Sequence, residues 1–115
     1  LVYQKDYTIA SGFALAKKLY SQRNEPPESI FTASLTLLQG ALEFITKKHG
    51  GIPPSMHVGT FDDHPFLDNM SVKICSVRQD IHKISQAATE MIFDALSGKP
   101  SVKHKIIKPK MIIRA

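Results

Sequence analysis

Apolar positions along this chain switch between two periods. Short apolar runs at residues 29–33, 56–61 and 72–77 read as strands, and between them lie segments with the helical spacing of buried side chains. Thr8 is placed to cap a helix over residues 9–22 with Phe13, Ala16, Leu19 and Tyr20 as its apolar stripe, and Asn24-Glu25-Pro26-Pro27 stops it. Ser34 caps a second helix over residues 35–48, which Gly50-Gly51 ends beyond the basic Lys47-Lys48-His49 turn. Its apolar width (Leu37, Leu38, Ala41, Leu42 and Ile45, extended by Leu35 and Phe44) exceeds the stripe one sheet face needs, so part of it is expected to meet another subunit. Asp80 opens a third helix to about residue 96, closed by Gly98 and Pro100. Residues 1–4 read as the end of a strand, and residues 102–107 and 111–114 as extended segments around Pro109. This alternation predicts an α/β fold with a parallel sheet, which needs helices on both faces.

In such a sheet, ligands bind where loops leave the carboxyl ends of the strands. Two of those ends are polar here. Phe31-Thr32-Ala33-Ser34 delivers a hydroxyl and a helix amino terminus to the crevice, and Thr60-Phe61-Asp62-Asp63-His64-Pro65 delivers paired carboxylates. Carboxylates accept hydrogen bonds from hydroxyls, so the pair points to a hydroxyl-rich ligand, a sugar above all.

Composition narrows the class. With 115 residues, 43% of them hydrophobic and 22% charged, the chain suits one ordinary globular unit, and it holds no apolar run of membrane-spanning length. One cysteine, Cys75, allows no internal disulfide and reads as a small buried hydrophobe. Together with the lack of a signal peptide before Leu1, this predicts a cytoplasmic protein. The net charge of +5 comes from the last segment, where Lys99, Lys103, Lys105, Lys108, Lys110 and Arg114 stand without an acidic residue. They alternate with aliphatics and no aromatic is present to stack a base, so they read as solvated strand faces.

Other chemistries find little support. Asp62-Asp63-His64 lacks the further histidines of a metal centre, and adjacent residues rarely face one ion. Asp63 and Asp68 share one loop without a second framework for glycoside cleavage. No nucleophile elbow, phosphate loop or dinucleotide fingerprint is present. The expectation is a binding module without catalytic residues, metal or other cofactor.

Six marks in order carry a resemblance: Tyr7-Thr8-Ile9-Ala10-Ser11-Gly12-Phe13, the segment from Phe31 to Leu42, Gly51-Ile52-Pro53, Gly59-Thr60-Phe61-Asp62-Asp63, Ser76-Val77-Arg78-Gln79-Asp80, and Ile112-Ile113-Arg114. Together they resemble the carboxyl-terminal half of the effector-binding core of lactose/galactose-repressor family transcription regulators. Ser34 with Leu37-Leu38-Gln39-Gly40, and Asp63-His64-Pro65-Phe66-Leu67-Asp68, look most like its sucrose and fructose operon branch. The resemblance implies a periplasmic-binding-protein-like, doubly wound parallel sheet in two lobes around a sugar cleft. Residues 1–75 would form the carboxyl-terminal lobe and residues 76–115 the crossover strand, helix and returning tail, with the helix-turn-helix and most of the amino-terminal lobe absent. It also implies four effector-binding residues: Tyr7 against the sugar ring, and Ser34, Asp62 and Gln79 as hydrogen-bonding groups. The implied dimer face takes in Leu35, Gln39, Phe44, Phe66 and Leu67.

The partners implied are a small sugar (sucrose, fructose or a fructose phosphate), a second copy in a homodimer, and operator DNA through the absent domain; no membrane is expected. Sugar binding would shift the lobes about the crossover near Gln79 and so change operator affinity. A carboxylate at position 62 repels a phosphate unless cations such as Arg78 or Lys5 intervene, which favours a neutral sugar. An exported sugar-binding protein of the same fold, or less plausibly a sugar-active enzyme, stands as the alternative.

Overall fold

The structure is a computed structural model that describes residue 3, residues 6–100 and residues 103–114. The strand end read at residues 1–4, the cation Lys5 and the start of the extended segment at Val102 therefore lie at or among positions outside the described residues. In chain order the elements are α1 (Ile9–Ser21), β1 (Ser29–Thr32), α2 (Leu35–His49), β2 (His57–Phe61), a 3-10 turn (Pro65–Asn69), β3 (Ile74–Arg78), α3 (Ile81–Leu96) and β4 (Lys110–Ile112). The strands form one sheet in the order β1-β2-β3-β4. The first three run parallel, pairing Thr32 with Thr60 and Thr60 with Ser76. β4 runs antiparallel to β3, pairing Ile112 with Ser76 and Lys110 with Arg78. The expected parallel sheet thus acquires one antiparallel edge, because the tail returns after α3 in the opposite direction.

The core lies between α2 and one face of this sheet. Leu38, Leu42 and Ile45 meet Val58 and Ile74, with Tyr20, Met56 and Leu67 closing the cluster. Leu67 is 1% exposed, so its reading as an interface residue is corrected: the 3-10 turn folds it inward, where burial contributes about 2 kcal/mol. The second apolar side of α2 is covered by α1. Phe44 meets Phe13 edge-on at 5.4 Å and Tyr20 at 5.3 Å, so the excess width needs no second subunit. The two helices run parallel in close apposition through Gly12 and Gly40: a Cβ on Gly40 would lie 1.9 Å from the Ile9 carbonyl oxygen, and one on Gly12 2.3 Å from that of Leu37.

The opposite sheet face carries no helix among the described residues, and Phe31 remains 65% exposed on it, its ring lying over Gly59. α3 stands clear of the core, with Ala87 its only buried residue. The radius of gyration, 18.2 Å, accordingly exceeds the roughly 13 Å of a compact chain of this length. No helix among the described residues is long and apolar enough to cross a membrane. Cys75 is a free, half-buried thiol on β3.

Candidate effector site

Three strand ends and two helix ends meet at one end of the sheet. β1 runs into Ser34, whose Oγ accepts from the Leu37 amide at 3.2 Å and caps α2. The cap leaves its hydroxyl proton free to donate. Ser34→Ala should lower stability by about 1 kcal/mol in urea unfolding through loss of that cap. Because α1 lies parallel to α2, its own amino terminus comes to the same end. There Thr8 Oγ1 accepts from the Ser11 amide at 3.0 Å, and Tyr7 is 63% exposed just ahead of it.

β2 ends at Phe61 and runs into Asp62, the only non-glycine residue with positive φ (73°) among those described. Aspartate tolerates this left-handed conformation better than most residues, but it remains an uncommon one. Gln79, just past β3, donates from Nε2 to Asp62 Oδ1 at 3.1 Å. The structure therefore joins Asp62 and Gln79 directly, and places Ser34 and Tyr7 at the same end of the sheet without a bond to that pair. Since Ser34, Asp62 and Gln79 follow three adjacent strands, the row they mark spans about 10 Å.

Beneath this row lies a buried polar layer. Thr32 Oγ1 donates to Thr60 Oγ1 and Thr60 Oγ1 to the Phe61 carbonyl, both at 2.9 Å, and Ser76 Oγ donates to Asp63 Oδ1. Asp63, with 3% of its side chain exposed, also accepts from Arg78 (Nε 2.8 Å, Nη2 2.6 Å) and from Arg114 Nη2 at 2.7 Å. Burial alone would raise its pKa. The bonds from Ser76, Arg114 and Arg78 outweigh burial and hold the carboxyl well below the usual carboxylate range.

Arg114, expected on a solvated strand face, has 9% of its side chain exposed. Its guanidinium also donates to Asp68 (2.7 Å), the Ile74 carbonyl (3.1 Å) and Ser76 Oγ (2.8 Å). The bond to Asp63, then that to Asp68, pushes its pKa up against the effect of burial. Asp63 and Asp68 are thus bridged by one arginine. The other tail cations from Lys103 to Lys110 are exposed, as read.

Arg114 and Ser76 are the residues that sequence reasoning left out of the site. The one available signal was an arginine in a run of lysines, because only the planar fork serves several acceptors at once. Of the dimer-face residues, Gln39 and Phe66 are exposed, while Leu35 and Phe44 are half-buried against the core. No group of His, Cys, Asp and Glu fit to hold a metal occurs among the described residues.

A second concavity, about 480 Å³, runs between α1 and the free edge of β1, walled by Leu15, Ala16, Leu19, Ile30 and Ala41. Its walls are mainly apolar, with Arg23, Ser29 and Thr32 among the polar exceptions, and they offer a sugar few partners. The hydroxyl-matching groups stand at the strand ends.

Comparison with known proteins agrees with the fold. The sequence profile of the periplasmic binding protein-like domain matches residues 1–115. The sucrose operon repressor of Klebsiella pneumoniae is 28% identical over 98 residues, 85% of this chain and 29% of that protein. The chain therefore spans less than a third of that relative's length. A LacI-family regulatory protein from Chloroflexus aggregans superposes with a TM-score of 0.79 at 25% identity, over 96% of this chain and 40% of that one. The Cra transcriptional dual regulator of Pseudomonas putida, in complex with fructose 1-phosphate, does so with a TM-score of 0.85 at 21% identity, over 96% and 41%. With its α/β sheet and a profile match along its whole length, the chain belongs to the periplasmic binding protein-like domain family.

Proposed function

We propose that the strand-end row is one wall of a sugar-effector site in a repressor of a sugar-utilisation operon, and that the effector is a neutral sugar, sucrose or fructose. The observation that carries this reading is the state of Asp62. Its neighbour Asp63 is neutralised by Arg78 and Arg114, and Asp68 by Arg114, whereas the recorded partner of Asp62 is the uncharged Gln79 amide. A half-buried carboxylate in that condition accepts sugar hydroxyls and repels phosphate. Ser34 and Gln79 supply a donor hydroxyl and an amide, and Tyr7 an aromatic plane for the apolar face of the sugar.

The remaining wall and the operator-binding domain belong to segments outside this chain, and residues 1–75 and 76–115 are taken as the carboxyl-terminal lobe and the crossover with its tail. Sugar binding favours one lobe arrangement across a homodimer whose face includes Leu35, Gln39, Phe44 and Phe66, and so changes operator affinity. The Pseudomonas relative, held with fructose 1-phosphate, favours a second reading. In it the neighbouring cations Arg78 and Lys110, paired across β3 and β4, would meet a phosphate.

A thermal-shift titration of the full-length protein with sucrose, fructose and fructose phosphates tests both readings. At a hundredfold excess over Kd the right sugar stabilises by about 2.7 kcal/mol. Asp62→Asn, which keeps the left-handed backbone and removes the charge, should abolish that shift. A response only to phosphorylated sugars would overturn the neutral-sugar assignment and favour the second reading.

A further inference from the structure

We infer that Arg114 is a positioning residue for the effector site: by pinning Asp63 to β3 it holds Asp62 in the left-handed turn that presents its carboxylate to the crevice. The inference rests on the reading of Asp62 as the sugar-binding carboxylate.

The geometry is one of two adjacent carboxylates sent to different partners. Asp63 bonds Ser76 and Arg78, which share one face of β3, while Asp62 bonds Gln79, in the alternate register. Neighbouring residues on a continuing strand would diverge in this way without help. Here, however, the strand has ended at Phe61 and the chain reverses at Asp62. What fixes the reversal is the anchoring on either side of it. Phe61 is held in the ladder opposite Val77, and Asp63 is held by bonds from Ser76, Arg78 and Arg114.

Of the two cationic anchors, Arg78 has 56% of its side chain exposed and is free to exchange with solvent, whereas Arg114 has 9% exposed. Arg114 is fixed in turn by the Ile74 carbonyl, Ser76 and Asp68, so all three of its nitrogens and four of its five N–H donors are engaged within the protein. Asp68 ties the far end of the same loop to the same guanidinium, closing residues 63–68 into one clamped unit. An uncommon backbone conformation over-determined by its surroundings beside a candidate site is the pattern expected of a pre-organised ligand contact. Lysine cannot reproduce the clamp, because one ammonium does not reach four divergent acceptors.

The test uses full-length protein labelled with ¹⁵N-glutamine. The Gln79 side-chain amide pair is assigned by its loss in Gln79→Met, and sucrose affinity is measured on the same samples. Arg114→Lys should move the Gln79 amide pair toward solvent-exposed glutamine values and weaken sucrose binding about tenfold, the worth of one charge-assisted contact. Ser76→Ala removes one strut of the clamp without changing charge; it should do the same to a smaller degree and serves if the arginine variant fails to fold. A folded Arg114→Lys or Ser76→Ala protein whose Gln79 pair is unmoved overturns the inference. If the Gln79 pair moves but sucrose does not bind even the wild-type protein, the positioning stands and the ligand assignment is what has failed.

Discussion

Asp63→Asn is expected to destabilise the protein by about 3 kcal/mol at neutral pH, measured by urea unfolding. The amide keeps the shape of the carboxylate but leaves the sheltered Arg114 guanidinium facing an uncharged group, with only the 66%-exposed Asp68 as counter-ion. Breaking one side of a buried pair costs far more than losing a surface pair, which is worth under about 1 kcal/mol. Lys83→Ala, which removes the exposed Lys83–Asp80 pair, is the matching control and should change little.

The same substitution carries a pH signature. The native pKa of Asp63 lies below its unfolded value, so the stability it contributes is fully present above about pH 4 and is lost as pH falls further toward the native pKa. Acid unfolding of the wild type below about pH 4 should therefore flatten in Asp63→Asn. Unchanged steepness would mean that other carboxylates carry the acid transition.

Gly40→Ala is expected to cost about 2–3 kcal/mol, against the usual direction of such a change. In an open helix, alanine for glycine gains up to about 1 kcal/mol. Here the new methyl would meet the Ile9 carbonyl oxygen and the Phe13 amide nitrogen of α1, and backbone atoms cannot swing aside as a side chain can. The helices must separate, which carries Thr8 and Tyr7 away from Ser34, so affinity for the effector should fall with stability. Gly51→Ala, where an added methyl meets nothing within 4 Å, should stay within about 0.5 kcal/mol of wild type.

Much of this fold was legible because it is written locally. Caps at Thr8, Ser34 and Asp80 and the stop at Gly50 place the helix ends within a residue or two, since each is a short-range bond between a side chain and the adjacent turn. What escaped was long-range. The partners of Arg114 lie 38 to 51 residues earlier, and in the alternating tail the one local mark of a buried cation is that it is an arginine among lysines. Leu67 sits in a run that reads equally well as an exposed loop or a core plug, and only the 3-10 turn decides it. The width of α2 was read as a surface for another subunit, whereas α1 of the same chain covers it through Phe13 and Tyr20, a packing that the local pattern of α2 does not reveal. In the candidate site, the choice of carboxylates followed from their position at a strand end. Their division of labour, one neutralised and one left to a neutral amide, needed the positions of both arginines.

The strand ends, and not the groove between α1 and β1, are proposed to receive a neutral sugar. Backbone amide chemical-shift mapping of the full-length protein with sucrose and, separately, with fructose tests this most directly. Perturbations concentrated at Ser34, Asp62 and Gln79, with Tyr7 at the rim, are the predicted result. Perturbations confined to Leu15, Leu19 and Ile30 in the groove, or none at all, would contradict it.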